Sequence, residues 1–416
     1  MVQRRSQAAP GVCPQHAGEQ PPKIPGGAGA YRRHRRQGRC QARKGQGFMT
    51  FGIYLHVPFC ASRCGYCDFN TYTPGELGMG PEPYLEALAI ELELAAERTG
   101  DRLVDTVFVG GGTPSMLGSV GLTRVLNAVT ANFRLKTDAE ITTESNPEST
   151  SPEFFAALKE AGFTRISLGM QSAAPHVLRV LERKHTPGRA VTAAKEARAA
   201  GFKHVNLDMI YGTPGETDDD VRRTVEAIMS ADVDHVSAYS LIVEDGTAMA
   251  RKVRKGELPS PDEDVLADRY EIIDNMLNGY DWYEVSNWAK PGGECQHNLG
   301  YWRNGDWWGA GPGAHSHIDG TRFYNVKHPR RYNETLSRAE LPIKEREVLS
   351  EEDIRTERVM LGLRLKEGIP AQWVDAPLAV DKHVRAGLLT AGERLAVTDR
   401  GRLLADGIIA DLLVGD

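Results

Sequence analysis

The sequence has few cysteines, no long apolar run and no basic body, and each shortage closes off a class of protein. Six cysteines in 416 residues are too few for a disulfide framework, and no secretory signal precedes them. No run approaches 18 uncharged apolar residues, which argues against a membrane-spanning helix. Charge is unevenly spread. Residues 1–48 hold ten Lys/Arg and one Glu, a net of +9, so the overall −6 leaves −15 for the remaining 368 residues. So acidic a body argues against nucleic acid as the main partner. Charged residues at 25% and hydrophobic ones at 41% are those of an ordinary globular protein, long enough for one large domain and a smaller one.

The arm at 1–48 is rich in Gly, Pro, Gln and Arg, has no helical or strand period, and reads as a disordered basic extension. Its PPKIPGGAGAYRRHRRQGR stretch lacks the amphipathic helix of a transit peptide. Met49 immediately precedes the first strand-like run, so the arm reads as an upstream extension. Cys13 and Cys40 fall within it and receive no role.

From residue 52 the chain alternates short β-branched runs with helical patterns. The strand-like runs are 52–59, 106–112, 140–147, 165–172, 204–212 and 235–244. Tyr84, Leu85, Leu88 and Leu92 share one helical face between the first two, and another helix is expected at 218–230. Six strands alternating with helices imply parallel βαβ units, closing as an open doubly wound sheet or as a partial or full barrel. In either case chemistry sits at the carboxyl ends of the strands. Those ends carry Cys60–Cys67, Gly110–Thr113, Glu144, Gln171, Asp208 and Glu244. Beyond about 250 come a helix at 262–279, an aromatic, glycine-rich stretch and a final α+β segment with a T-D-R-G turn before its last helix. That segment resembles a small winged-helix-like module, and a packing role suits it in an acidic protein.

Three of the four cysteines outside the arm sit in CASRCGYCDFN, residues 60–70, as Cys60, Cys64 and Cys67. Structural zinc wants four ligands, and only three are local. A thioredoxin-like pair at Cys64 and Cys67 leaves Cys60 unexplained. Three inert buried thiols do not suit a loop turning at Pro58 and Gly65. A cluster of iron and sulfide held by three thiolates fits best. On a four-iron cube it leaves one iron open to a substrate or cofactor.

C-x3-C-x2-C after a first strand resembles the signature of the radical S-adenosylmethionine (SAM) superfamily, whose fold is a partial (β/α)6 TIM-type barrel. The resemblance implies a 4Fe-4S cluster whose open iron is chelated by SAM, and one-electron cleavage of the sulfonium to a 5′-deoxyadenosyl radical. GGGTPS at 110–115 resembles the glycine-rich segment that meets the SAM amino group. By the same resemblance Tyr54, Gly111, Gly112, Thr113, Glu144, Gln171, Arg183 and Asp208 align with SAM-contacting positions, and Tyr66 covers the cluster or the adenine. Taken singly, Arg183 reads equally as a solvated helix charge and Asp208 as a cap.

YLHVPF, GGGTPS, ITTESNP, LGMQS and NLDMIYGTPGET together resemble the coproporphyrinogen dehydrogenase-like group over residues 52–416. Two of its branches compete. The oxygen-independent coproporphyrinogen III dehydrogenases decarboxylate two propionates to vinyl groups; the haem chaperones bind haem and pass it to haem-requiring proteins. The dehydrogenase pattern has a fourth cysteine two residues past the triad, where this chain has Phe69. It also has a longer folded segment before the first strand. His297-Asn298-Leu299-Gly300-Tyr301-Trp302 matches the chaperones' H-N-x-x-Y-W motif. His297 is thereby expected to bind haem iron, with Cys295 as a second candidate; the plainer reading of each is a satisfied core residue.

The expectation is therefore an extension at 1–48, a radical SAM core at 49–285, a connecting region at 286–345 and a small C-terminal α+β domain at 346–416. Its function is a cytoplasmic haem chaperone holding a 4Fe-4S cluster, SAM and haem or another tetrapyrrole. Its partners are haem-accepting proteins and an electron donor; the runner-up is the dehydrogenase.

Overall fold

The computed structural model describes residues 50–415. The basic arm, with Cys13, Cys40 and Met49, lies outside the described residues, and so does the expectation of disorder attached to it. The six strands are β1 (Phe51–Val57), β2 (Leu103–Gly111), β3 (Arg134–Ser145), β4 (Arg165–Gln171), β5 (His204–Tyr211) and β6 (His235–Ser240). Each pairs with the next in parallel. Alternation decides which side chains fill the barrel: Ile53, Leu55 and Val57 of β1 are fully buried in the hydrophobic core, while Tyr54 stacks inward on Phe108.

Helices at Glu82–Thr99, Gly118–Asn132, Pro152–Ala161, Arg189–Ala199 and Asp218–Ser230 join the strands. Their starts are written locally. Thr217 Oγ1 accepts from the Asp220 N–H at 3.2 Å while Asp220 accepts from the Thr217 N–H at 2.9 Å, a reciprocal cap. Ser151 caps Pro152–Ala161 in the same sense, and Gly162, at φ 111°, stops that helix.

The sheet does not end with six strands. β7 (Asp281–Glu284) and β8 (Asn287–Ala289) extend it past β6. On the other side β9 (Asp306–Ala310) runs parallel to β1, followed by β10 (His315–Ile318), β11 (Thr321–Asn325) and β12 (Ile343–Val348). All twelve form one sheet in which β1 and β6 are not neighbours, so the barrel is partial. The aromatic, glycine-rich stretch thus supplies flanking strands and the helix Gln296–Trp302, which packs against β1 and β2 at the amino-terminal end of the barrel.

That base is locked by a buried ion pair. Arg165 Nε donates to Glu140 Oε2 at 2.8 Å, and its Nη2 donates to the carbonyls of Gly293 and Glu294 at 2.8 and 3.0 Å. Glu140 Oε1 accepts from the His297 N–H at 3.0 Å. Further hydrogen bonds of this kind are what lets a buried pair repay its desolvation.

The last segment holds helices Glu351–Gly362, Pro377–Arg385 and Ala405–Val414 around a small sheet of β13 (Ile369–Pro370), β14 (Leu389–Thr390) and β15 (Arg394–Val397). Arg402, just after the T-D-R-G turn, bonds both oxygens of Asp274 and lies over the rings of Tyr270 and Trp282. Val359, Leu363, Ile408 and Leu412 share one hydrophobic core with the barrel. Among the described residues no helix is long and apolar enough to cross a membrane.

Candidate functional site

The cysteine loop leaves the carboxyl end of β1 and is held by its own backbone. Tyr72 donates its N–H to the Pro58 carbonyl at 2.7 Å, Cys60 to Tyr72 at 3.0 Å and Cys67 to Cys64 at 3.2 Å. Gly65 accepts from the Met249 N–H at 2.8 Å, tying the loop to the chain beyond β6. Cys60, Cys64 and Cys67 are reduced and partly exposed. Burial pushes the Cys60 thiol up and that of Cys67 to about 11. Among the described residues no three His, Cys, Asp or Glu side chains converge as ligands of a single ion.

Two neighbours address the thiols directly. Thr113 Oγ1 donates to Cys60 Sγ at 3.6 Å, and Arg183 Nη1 donates to Cys64 Sγ at 3.5 Å. Arg183 Nε is buried with no partner, and Nη2 reaches the Gly169 carbonyl at 3.4 Å. A cation with spare donors beside a thiol belongs in an anion-binding site. Tyr66, between two of the cysteines, packs against Val177, Leu181 and Met249.

The glycine segment lies flush against the root of this loop. Gly112 donates to the Val57 carbonyl at 2.8 Å, and Thr113 donates to the Phe59 carbonyl at 2.7 Å. A Cβ on Gly112 would stand 2.5 Å from the Phe59 carbonyl oxygen and 3.0 Å from Cys60 Sγ. Gly111 sits at φ 111°. No larger residue fits either place, so backbone rather than side chain faces the mouth here.

Two carboxylates line the mouth. Glu144 Oε2 accepts from the Gly111 N–H at 3.2 Å. Burial, then the nearby Asp208 charge, raises Glu144 to about 8. Asp208 is itself raised, by burial, against hydrogen bonds from Ser237, Ser167 and Asn206. Gln171 ends β4 at φ 67°, an uncommon conformation for a non-glycine residue. A Cβ on Gly169 would lie 2.9 Å from both Gln171 Nε2 and Arg183 Nη2. Tyr54 sits one layer lower, its hydroxyl 3.0 Å from His56 Nδ1. The cysteine loop, Gly111–Thr113, Glu144, Gln171, Arg183 and Asp208 thus lie around one mouth.

His297 is elsewhere. It lies at the base, with Nδ1 2.7 Å from Thr106 Oγ1, Nε2 2.8 Å from Tyr301 Oη, and its ring stacked on Phe108 at 5.1 Å. Burial lowers it to about 4, so it is neutral. A cavity of about 10 Å³ beside it, lined by Gly52, Tyr301 and Trp307 among others, has room for roughly one water. Cys295 is also buried, its Sγ 3.4 Å from Glu140 Oε1, and burial raises its thiol strongly. A hydrogen-bonded chain inside the barrel joins the two ends, from Asp208 through Asn206, His235 and Tyr283 to Asn298.

Sequence reasoning missed three residues at the mouth. Tyr239, one residue before the end of β6, is 42% exposed. His56, on β1, donates through Nε2 to the Asn70 carbonyl at 3.0 Å. His315 opens β10 after the turn Gly311–Ala314 and is exposed. The signal for Tyr239 was its place at a strand's carboxyl end; His315 follows a G-P-G turn whose closeness to the cysteine loop only the fold reveals.

Open barrel, thiol loop at its carboxyl mouth and glycine cradle define the class: a radical SAM protein. The Radical SAM superfamily model matches residues 54–228. The chain is 57% identical over 373 residues to the heme chaperone HemW of Mycobacterium tuberculosis, covering 87% of this chain and 95% of that one. It is 38% identical to the HemW of Escherichia coli, over 67% of this chain and 74% of that one. A solved structure of E. coli coproporphyrinogen III oxidase, HemN, shares the fold with a TM-score of 0.75 at 24% identity, covering 88% and 90% of the two chains. The chain belongs to the HemW heme chaperone family.

Proposed function

We propose that this chain is a haem chaperone that holds a 4Fe-4S cluster and SAM in its barrel mouth and delivers haem to acceptor proteins in a reducing compartment such as the cytoplasm. What carries the reading is the 57% identity to a protein named heme chaperone, spread over 95% of its length. The site supports the cofactors on its own terms. Cys60, Cys64 and Cys67 would hold three irons, on one loop at the mouth whose thiols are met by Thr113 and Arg183. Bound there, the cluster supplies the electron for cleaving the SAM sulfonium.

This chain's residues supply position and electrostatics. Gly111, Gly112 and Thr113 leave the room a close-lying ligand needs. Glu144 and Asp208 accept from ammonium or hydroxyl groups, and Arg183 pairs a carboxylate through its buried Nε, which has no other partner. Tyr54 and Gln171 complete the wall, and Tyr66 flanks the cube.

The dehydrogenase alternative shares the fold, so chemistry must separate the two. Incubated anaerobically with SAM, reductant and coproporphyrinogen III, the reconstituted protein is expected to form no protoporphyrinogen. Stoichiometric vinyl product would overturn the chaperone reading in favour of the decarboxylase.

A further inference from the structure

A haem chaperone needs an iron ligand, and the residue singled out by the sequence is badly placed to be one. Both ring nitrogens of His297 are engaged, and the space beside it takes about one water, not a macrocycle. Binding haem there would require the base of the barrel to open against the Glu140–Arg165 lock. Cys295 is sealed behind the same lock.

His315 has the opposite character. Its ring is exposed, and its two nitrogens make no hydrogen bond among the described residues. One ring face is stacked on Tyr324 at 5.1 Å with 23° between planes. The backbone beneath it is fixed. Trp307 Nε1 donates to the His315 carbonyl at 2.8 Å, and the turn before it is tied by Gly313 N–H to Val326 and by Asn325 N–H to Ala314. A Cβ on Gly309 would fall 2.1 Å from the His315 carbonyl oxygen, so glycine lets the two strands close up here. An uncommitted imidazole on a rigid mount is a preorganised ligand.

Its location matches the rest of the site. Asn70, the last residue of CASRCGYCDFN, donates through Nδ2 to the carbonyls of Pro312 at 2.9 Å and Lys327 at 2.8 Å. The turn carrying His315 is thus bonded to the cysteine loop, at the mouth rather than the base. Phe69, 51% exposed on that loop, offers apolar surface, and exposed Lys327 offers a cation for a propionate.

We propose that His315 is the axial ligand of the haem carried by this protein, at the rim shared by the cysteine loop and the Gly311–Ala314 turn. This rests on the haem-chaperone reading. A ring-nitrogen lone pair of His315 bonds to ferric iron and displaces a weakly held water; iron stays ferric and no electron moves.

The test titrates hemin into the cluster-reconstituted chain and its variants, reading affinity and the spin state of the iron. His315→Ala is expected to lose about a hundredfold in affinity and to recover the parent spectrum when free imidazole is added. His315→Met is expected to keep haem with an altered iron spectrum, a change no merely structural role produces. An intact cluster in each variant certifies the fold. Parent-like affinity and spectrum in both variants, with loss in His297→Ala, would overturn the ligand and leave the chaperone reading standing. Failure of the parent chain to bind hemin would overturn the chaperone reading itself, and the ligand with it.

Discussion

Replacing Cys60, Cys64 or Cys67 singly with alanine yields a folded chain with no assembled cube. The three thiols sit on a loop held by main-chain bonds that a side-chain change leaves in place, from Tyr72 to Pro58, Cys60 to Tyr72 and Met249 to Gly65. None belongs to the hydrophobic core. Surface substitutions away from core packing cost about 0.5 kcal/mol or less, so thermal unfolding of the apo variants is expected to match the parent. The cluster is another matter, since two thiolates leave two irons of the cube without protein ligands. Iron and sulfide analysis after anaerobic reconstitution checks this. Full iron in any one variant would remove that cysteine from the ligand set. Cys295→Ala is the control that keeps its iron, because that thiol lies at the base against Glu140.

Glu144→Gln is expected to stabilise the SAM-free protein at pH 8, to leave it unchanged near pH 4.5, and to weaken SAM binding at pH 8. Burial and Asp208 raise this carboxyl from 4.5 to about 8. A raised acid contributes stability that is fully present below its unfolded value and is lost as pH rises through the folded value. The parent therefore pays a growing penalty between 4.5 and 8 that a neutral amide avoids. Discounted for its partial exposure at the mouth, the difference at pH 8 is on the order of 2 kcal/mol. Thermal melts of both proteins across this range read it directly. A parent curve parallel to the variant's would mean that Glu144 is ionised throughout. Loss of SAM affinity follows from removing an ionisable acceptor, and about a tenfold change corresponds to 1.4 kcal/mol.

Much of this was legible in the chain itself, because parallel βα units write themselves locally. Helix 218–230, expected from its pattern, matches to the residue, and the reciprocal cap of Thr217 and Asp220 fixes its start. The six strands matched in order, with β3 beginning earlier, at Arg134, than its apolar run suggested: its first five residues, RLKTD, are mostly exposed. Cys60–Cys67, Gly110–Thr113, Glu144, Gln171 and Asp208 stand out in the sequence because they follow or end strands, whereas Tyr54, Tyr66 and Arg183 enter only with the family resemblance. The flanking strands β7 to β12 were not, since their pairing is tertiary; β12, IKEREV, has no buried face to announce it. The placement of H-N-x-x-Y-W was equally invisible. A motif next to aromatics reads as a ligand site until the fold puts its histidine between Thr106 and Tyr301. His315 was hidden for the converse reason, because nothing local says that the turn before it abuts Asn70.

The central claim is that this protein carries haem in order to give it away. The direct measurement is transfer: the chain is loaded with one equivalent of haem, freed of excess by gel filtration, and mixed with a haem-free acceptor protein while the acceptor's spectrum is followed. The account predicts retention of one haem per chain through the column and its appearance on the acceptor faster than from free haem in buffer. Haem lost on the column, or held without transfer whether or not cluster and SAM are present, would contradict it.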